Sequence, residues 1–171
     1  MRYLGVDQSL ASTGWALLDY EDGKGVIEEI GMILTDPDID IKGFEGTFQR
    51  ATELFRQLRR VQARTLPSVT VHEMPVVPSA RMPSKNREAG PSACMAVRIA
   101  SEVMGIPVEM LNAQKVKKEL TGGAKAQKKE VRAALEAESA LTWEKSVGPM
   151  NEHTTDAVAL AWVYAMERGE N

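Results

Sequence analysis

Three strand-length apolar runs crowd into the first 34 residues, with only short polar turns between them. Residues 2–7 read as a buried strand that ends on Asp7, residues 14–20 as a second strand and residues 26–34 as a third. Ser9 to Thr13 is small and polar, and Glu21-Asp22-Gly23-Lys24-Gly25 has the composition of a turn, so the three runs form a meander that Asp36-Pro37-Asp38 ends. The rhythm then changes. Phe44, Phe48, Ala51, Phe55 and Leu58 recur at spacings of four and three with Arg50, Arg56, Arg59 and Arg60 between them, which predicts an amphipathic helix over 44–64. Pro67 breaks that pattern, and Val69 to His72 is a short strand leading into Glu73.

Residues 74–90 hold Pro75, Pro78, Pro83 and Gly90 together with Arg81, Lys85 and Arg87, and read as a basic, irregular loop. A helix is expected over 91–104, a strand from Val108 to Leu111, and a helix capped by Asn112 and stopped by Gly122-Gly123. A second basic helix follows over 127–137, and a last helix over 152–168. Meander, then strand–helix alternation, gives an α/β fold: a mixed five-stranded sheet, three strands antiparallel and the rest parallel, flanked by helices. No repeat or linker divides the chain, so its 171 residues are expected to form a single domain.

Composition closes off several chemistries. Cys94 is the only cysteine, which excludes an intrachain disulfide and a cysteine-rich zinc site. No apolar stretch is long enough to span a bilayer and the N-terminus lacks a signal-peptide core, so no membrane partner and a cytoplasmic location are expected. The net charge of −3 does not announce a nucleic-acid partner, but its distribution does. Residues 112–132 carry Lys115, Lys117, Lys118, Lys125, Lys128, Lys129 and Arg132 against Glu119 and Glu130, a local excess of five positive charges. Lys117 and Lys128 flank the Gly-Gly turn, where a backbone can approach phosphate closely. The same lysines also suit a plain solvated face.

Asp7 and Glu73 each close a different strand, and His153 and Asp156 open the last helix. Taken singly, each has an ordinary explanation: a turn cap at Asp7, a solvated strand end at Glu73, N-terminal helix capping at Asp156. His153 and Asp156 are three apart on one helix face that continues into Leu160 and Val163, so they begin a core-facing stripe. Gathered by a sheet, the group would be mutually repulsive unless divalent cations neutralise it. Such a site suits magnesium, or manganese where imidazole takes part, with two ions serving an in-line phosphodiester displacement. Bare, the carboxylates should stand apart. Ser9, Ser12, Thr13 and Gly14 would let a phosphate substrate reach the backbone beside Asp7. Met32, Met95, Met104 and Met110 are expected to fill core gaps, Cys94 to pack, and Trp15, Trp143 and Trp162 to pack rather than stack on bases.

Gly-Val-Asp7-Gln-Ser-Leu-Ala-Ser-Thr-Gly-Trp-Ala, Val-His-Glu73 and Glu-His153-Thr-Thr-Asp156-Ala-Val-Ala together resemble RuvC-type Holliday-junction resolvases. Asn112-Ala-Gln-Lys-Val-Lys117-Lys-Glu-Leu-Thr-Gly and Ala126-Gln-Lys128-Lys-Glu-Val are similar to that family's basic DNA-contacting segment. The resemblance implies an RNase H-like fold, a homodimer, and paired magnesium-dependent nicks across a four-way DNA junction. It implies catalytic and metal-site roles for Asp7, Glu73, His153 and Asp156. DNA contacts fall to Lys117 and Lys128, with Lys118, Lys125, Arg81 and Lys85 as further basic candidates. Members often carry an aromatic residue shortly after the second acidic one; here the segment is Met74-Pro75-Val76-Val77, which points to broader branched-DNA cleavage, as in phage-encoded relatives. Three alternatives stay open: another RNase H-like nuclease acting on hybrids or flaps, an actin-like ATPase, and a junction-binding protein without activity.

Overall fold

The computed structural model describes residues 1–35, 43–75 and 84–169, with the backbone alone for 84–87. The expected end of the meander at 36–38 therefore lies outside the described residues, as do Arg81 and the rest of 76–83. The strands are β1 (Arg2–Asp7), β2 (Ser12–Glu21), β3 (Lys24–Leu34), β4 (Val69–Glu73), β5 (Val108–Leu111) and β6 (Leu141–Trp143). The helices are α1 (Phe44–Thr65), α2 (Ser84–Val103), α3 (Ala113–Thr121), α4 (Lys128–Ala137) and α5 (Glu152–Gly169).

One sheet runs β5-β4-β1-β2-β3-β6. β1, β2 and β3 are the antiparallel meander, and β1–β4, β4–β5 and β3–β6 pair in parallel. The β2–β3 hairpin closes at Glu21↔Lys24 through Asp22 and Gly23, whose φ angles of 48° and 77° make the primed turn that Asp-Gly favours. The sequence reading expects five strands; the sixth, β6, has three residues and is too short to carry a period of its own.

Strand alternation sorts the side chains. Tyr3, Ala16, Leu18 and Val71 pack with α5, α3 and α4 on one face. Leu4, Val6, Trp15 and Ile33 pack with Leu54 and Leu58 of α1 and Ala93, Val97 and Ala100 of α2 on the other. Helix α5 is apolar around its whole circumference, and every residue from Ala157 to Ala165 is buried, the mark of a central helix. It lies in backbone contact with the sheet. A Cβ on Gly5 would fall 2.0 Å from the Ala157 carbonyl oxygen, and one on Gly14 would fall 2.4 Å from the His153 carbonyl.

Helix α2 begins at Ser84, seven residues before the expected start, and carries Pro91 inside it. The proline gives up one backbone bond, and the helix continues because Ala93, Ala96, Val97 and Ala100 bury against the sheet. Cys94, Trp15 and Trp162 are buried as expected, and Trp143 is partly buried. The methionines are not core filler: Met95 is 59% and Met110 36% exposed, and Met32 and Met104 are only partly buried. Met95 and Ile99 form an outward row on α2 beside the exposed Phe44 and Phe48 of α1, so the apolar period of α1 overstates its buried stripe.

Gly5→Ala must push α5 off β1. It is expected to destabilise the fold by about 1–3 kcal/mol or more, or roughly 2–4 °C in Tm per kcal/mol for a chain of this size. An unchanged melting curve would mean that α5 is not seated on the strand as described.

Candidate active site

Asp7 ends β1 and Glu73 ends β4, and the parallel register Val6↔His72 brings these two ends side by side. The odd positions of both strands face α5, so the carboxylates share that face with Gly5 and Val71. His72 points the other way; it is fully buried, and its Nδ1 lies 2.9 Å from the Glu73 carbonyl oxygen. The first turn of α5, held against Gly14, supplies His153 and Asp156. Asp7, Glu73, His153, Asp156, Lys117 and Lys128 all line one cleft of about 310 Å³.

Capping of α5 falls to Asn151. Its Oδ1 accepts from the Thr154 backbone N–H at 2.9 Å, while its own N–H donates to Thr154 Oγ1 at 2.8 Å. Asp156 is thereby left to the cleft rather than to the helix end. Gln8, which the sequence reading passed over, ties the two strand ends together. Its side chain donates to the Glu73 carbonyl at 2.7 Å and accepts from the Glu73 N–H at 3.2 Å, so an amide side chain prolongs the β1–β4 ladder by one step. The hydroxyls beside Asp7 are mostly engaged within their own loop. Thr13 Oγ1 donates to the Ser9 carbonyl at 2.6 Å and accepts from the Ser9 N–H at 3.0 Å, closing the loop on itself. Ser12 Oγ lies 3.0 Å from His153 Nε2.

The electrostatics are those of an acidic cluster partly removed from water. Burial pushes the Asp7 carboxyl above its ordinary range, against the lowering effect of its 2.7 Å bond with His153 Nδ1, and Asp156 pushes it further. Burial raises Glu73 too, with Asp7 and Asp156 adding to it and Lys117 and Lys128 opposing. Lys128 Nζ stands 3.3 Å from Asp156 Oδ2 and 3.1 Å from Glu152 Oε2. Burial alone would depress that ammonium, but its hydrogen bond to Glu152 and the charge of Asp156 outweigh the penalty and raise it. Lys128 is thus a counter-ion of the acidic cluster.

No three His, Cys, Asp or Glu side chains among the described residues are gathered tightly enough to hold an ion as they stand. Bare carboxylates around one cleft repel, as the sequence reading expects, and an ammonium stands among them. The donor set itself, three carboxylates and an imidazole on one cleft, fits a hard divalent cation. Of the other basic candidates, Lys118 on α3 and Lys125 in the α3–α4 turn are exposed and do not line the cleft. Lys85 lies in the first turn of α2, where only backbone is described, and Arg81 is outside the described residues.

No protein-family model matches the chain. The crossover junction endodeoxyribonuclease RuvC of Xanthobacter autotrophicus is 31% identical over 169 residues, spanning 99% of this chain and 92% of its own. Among solved structures, T. thermophilus RuvC in complex with a Holliday junction substrate superposes with a TM-score of 0.75 at 22% identity, covering 99% of this chain and 96% of its own. The yeast mitochondrial Holliday junction resolvase superposes with a TM-score of 0.65 at 15% identity, covering 99% and 80%.

With its folded carboxyl raised, ionised Glu73 costs stability at neutral pH, and that cost vanishes below its ordinary value of 4.5, where the carboxyl is protonated in folded and unfolded chains alike. Glu73→Gln should therefore raise Tm in chelator at neutral pH, by about 2–4 °C for each kcal/mol relieved. The gain should shrink as the pH falls toward 4.5. Thermal melts across that range check the sign; a Tm lowered at neutral pH contradicts it.

Proposed function

The chain belongs to the RuvC family of crossover junction endodeoxyribonucleases, and we propose that it resolves four-way or other branched DNA by metal-dependent phosphodiester hydrolysis in a single RNase H-like domain. The observation that carries this reading is the convergence of Asp7, Glu73, His153 and Asp156, from three separate parts of the chain, on one cleft shared with Lys117 and Lys128. Asp7, Glu73 and Asp156 would hold two magnesium ions, or manganese in their place, with His153 as a further ligand or proton-transfer group. Such ions supply charge neutralisation at the scissile phosphate and an activated water.

The chain's own residues do the rest. Asp7, held by its strand pairing with Gly14 and by the His153 bond, is the fixed centre of the site. Lys117 and Lys128 meet the phosphate backbone at the mouth of the cleft, with Lys118 and Lys125 extending a positive rim along α3 and the α3–α4 turn. Lys128 can serve DNA only by leaving Glu152 and Asp156.

Each copy of the chain has one such cleft, so paired symmetric nicks need two copies. The exposed apolar strip of Phe44, Phe48, Met95 and Ile99 is where we place the homodimer contact. No helix among the described residues is long and apolar enough to cross a membrane, in keeping with an enzyme acting on DNA in the cytoplasm.

Labelled junction, flap, RNA–DNA hybrid and linear duplex, each incubated with magnesium, manganese or chelator, test the reading. Junction should be cut into symmetric nicks only with metal; equal cleavage of a plain hybrid would move the assignment to another RNase H-like nuclease. Asp7→Asn should keep junction binding while cleavage drops by at least about a hundredfold. Binding lost with the fold intact would make Asp7 a DNA-positioning residue. Lys117→Ala should weaken junction binding and reduce the slope of log K against log salt by about 0.9; an unchanged slope returns that lysine to a solvated face.

A further inference from the structure

Both ring nitrogens of His153 are engaged. Nδ1 lies 2.7 Å from Asp7 Oδ2, and Nε2 lies 3.0 Å from Ser12 Oγ. A carboxylate can only accept, so the bond to Asp7 places the proton on Nδ1. In the neutral ring Nε2 is then the acceptor and Ser12 the donor. The serine is placed for this by the strand. Ser12 opens β2 and, two residues before Gly14, faces the same side of the sheet, where the His153 backbone presses on Gly14. The neighbouring hydroxyls are otherwise occupied: Thr13 bonds Ser9, and Ser9 Oγ accepts from the Ala11 N–H at 3.3 Å. Ser12 is paired through its backbone with Leu34 and needs no side-chain bond to hold its strand.

A ring held at one nitrogen turns about its Cβ–Cγ bond at the cost of a single hydrogen bond. Held at both, between two residues of adjacent strands, it must break two. The His153 side chain is about one-third exposed and stands in the first turn of α5. We propose that Ser12 is a positioning residue: Asp7 sets the Nδ1–H tautomer, and the Ser12 hydroxyl holds the far side of the His153 ring so that Nδ1–H stays aimed at Asp7, which fixes the orientation of the carboxylate at the centre of the cleft. The role in cleavage rests on the nuclease reading above, with His153 as its proton-transfer group rather than a metal ligand, since both ring nitrogens are engaged; the holding of the ring does not.

The experiment reads the two separately. Imidazole nitrogen NMR on the metal-free protein, at mildly alkaline pH where an imidazole is neutral, reports the tautomer directly. The chain has two histidines, so His72 serves as an internal reference and His153→Gln assigns the signals. Wild type should show His153 as a single Nδ1–H tautomer. Ser12→Ala should give averaged shifts, and Ser12→Thr should keep the wild-type pattern. In single-turnover assays with junction DNA and magnesium, Ser12→Ala should cut roughly tenfold more slowly, as outer-sphere partners of metal-site groups do. Its junction Kd should be unchanged, and Ser12→Thr should restore most of the rate. Unchanged nitrogen shifts in Ser12→Ala, or a full cleavage rate despite altered shifts, would overturn the proposal. If wild type cuts no branched DNA while the nitrogen shifts still depend on Ser12, the nuclease reading fails and the holding of the ring stands.

Discussion

Helix α5 touches the sheet through backbone atoms, with no side-chain layer between, because Gly5 and Gly14 leave no Cβ in the way. Nearly every feature of the cleft follows from that seating. The helix must be apolar on all sides to be buried there, so its charged groups fall at the two ends, and His153 and Asp156 stand at the start. The same contact brings them down to the level of the strand ends that carry Asp7 and Glu73. Side chains in contact across a strand–helix junction this close have little room to rearrange, which suits a site that must hold several like charges in register.

Those like charges are the second constraint. Burial raises both Asp7 and Glu73, Asp156 raises both further, and Asp7 adds to the rise of Glu73, so the folded chain carries an electrostatic cost that its metal-free form only partly relieves. The partial relief comes from within, through Lys128 on Asp156 and Glu152 and His153 on Asp7. A helix that supplies a counter-ion to the cluster in one state can supply a phosphate contact in another, because the same ammonium can answer either anion.

How far the sequence discloses this depends on where the information is stored. The meander, α1, β4, β5 and the α3–α4 pair were legible because each carries its own period or cap; Asn112 does accept from the Gln114 N–H as its position suggests. The gathering of Asp7, Glu73, His153 and Asp156 was legible because strand and helix ends point to a common edge. Strand β6 was not, since three residues exist as a strand only through pairing with β3. The early start of α2 was hidden by Pro83, Gly90 and Pro91, whose breaker signal is overridden by packing. The bonds of Gln8 to Glu73 and of Ser12 to His153 are not legible because the partners lie 65 and 141 residues away. The polar run at 9–13 had been read for openness, whereas its serines and threonine mostly bond one another or His153.

The sheet is bordered by its two shortest strands, β5 with four residues and β6 with three. Such brief margins offer another chain almost no backbone template to extend. Stray strand addition, the usual hazard for an open sheet, is therefore blocked at both flanks. That leaves the exposed apolar side chains of α1 and α2, the surface proposed above for a second copy, as the broader ground for association.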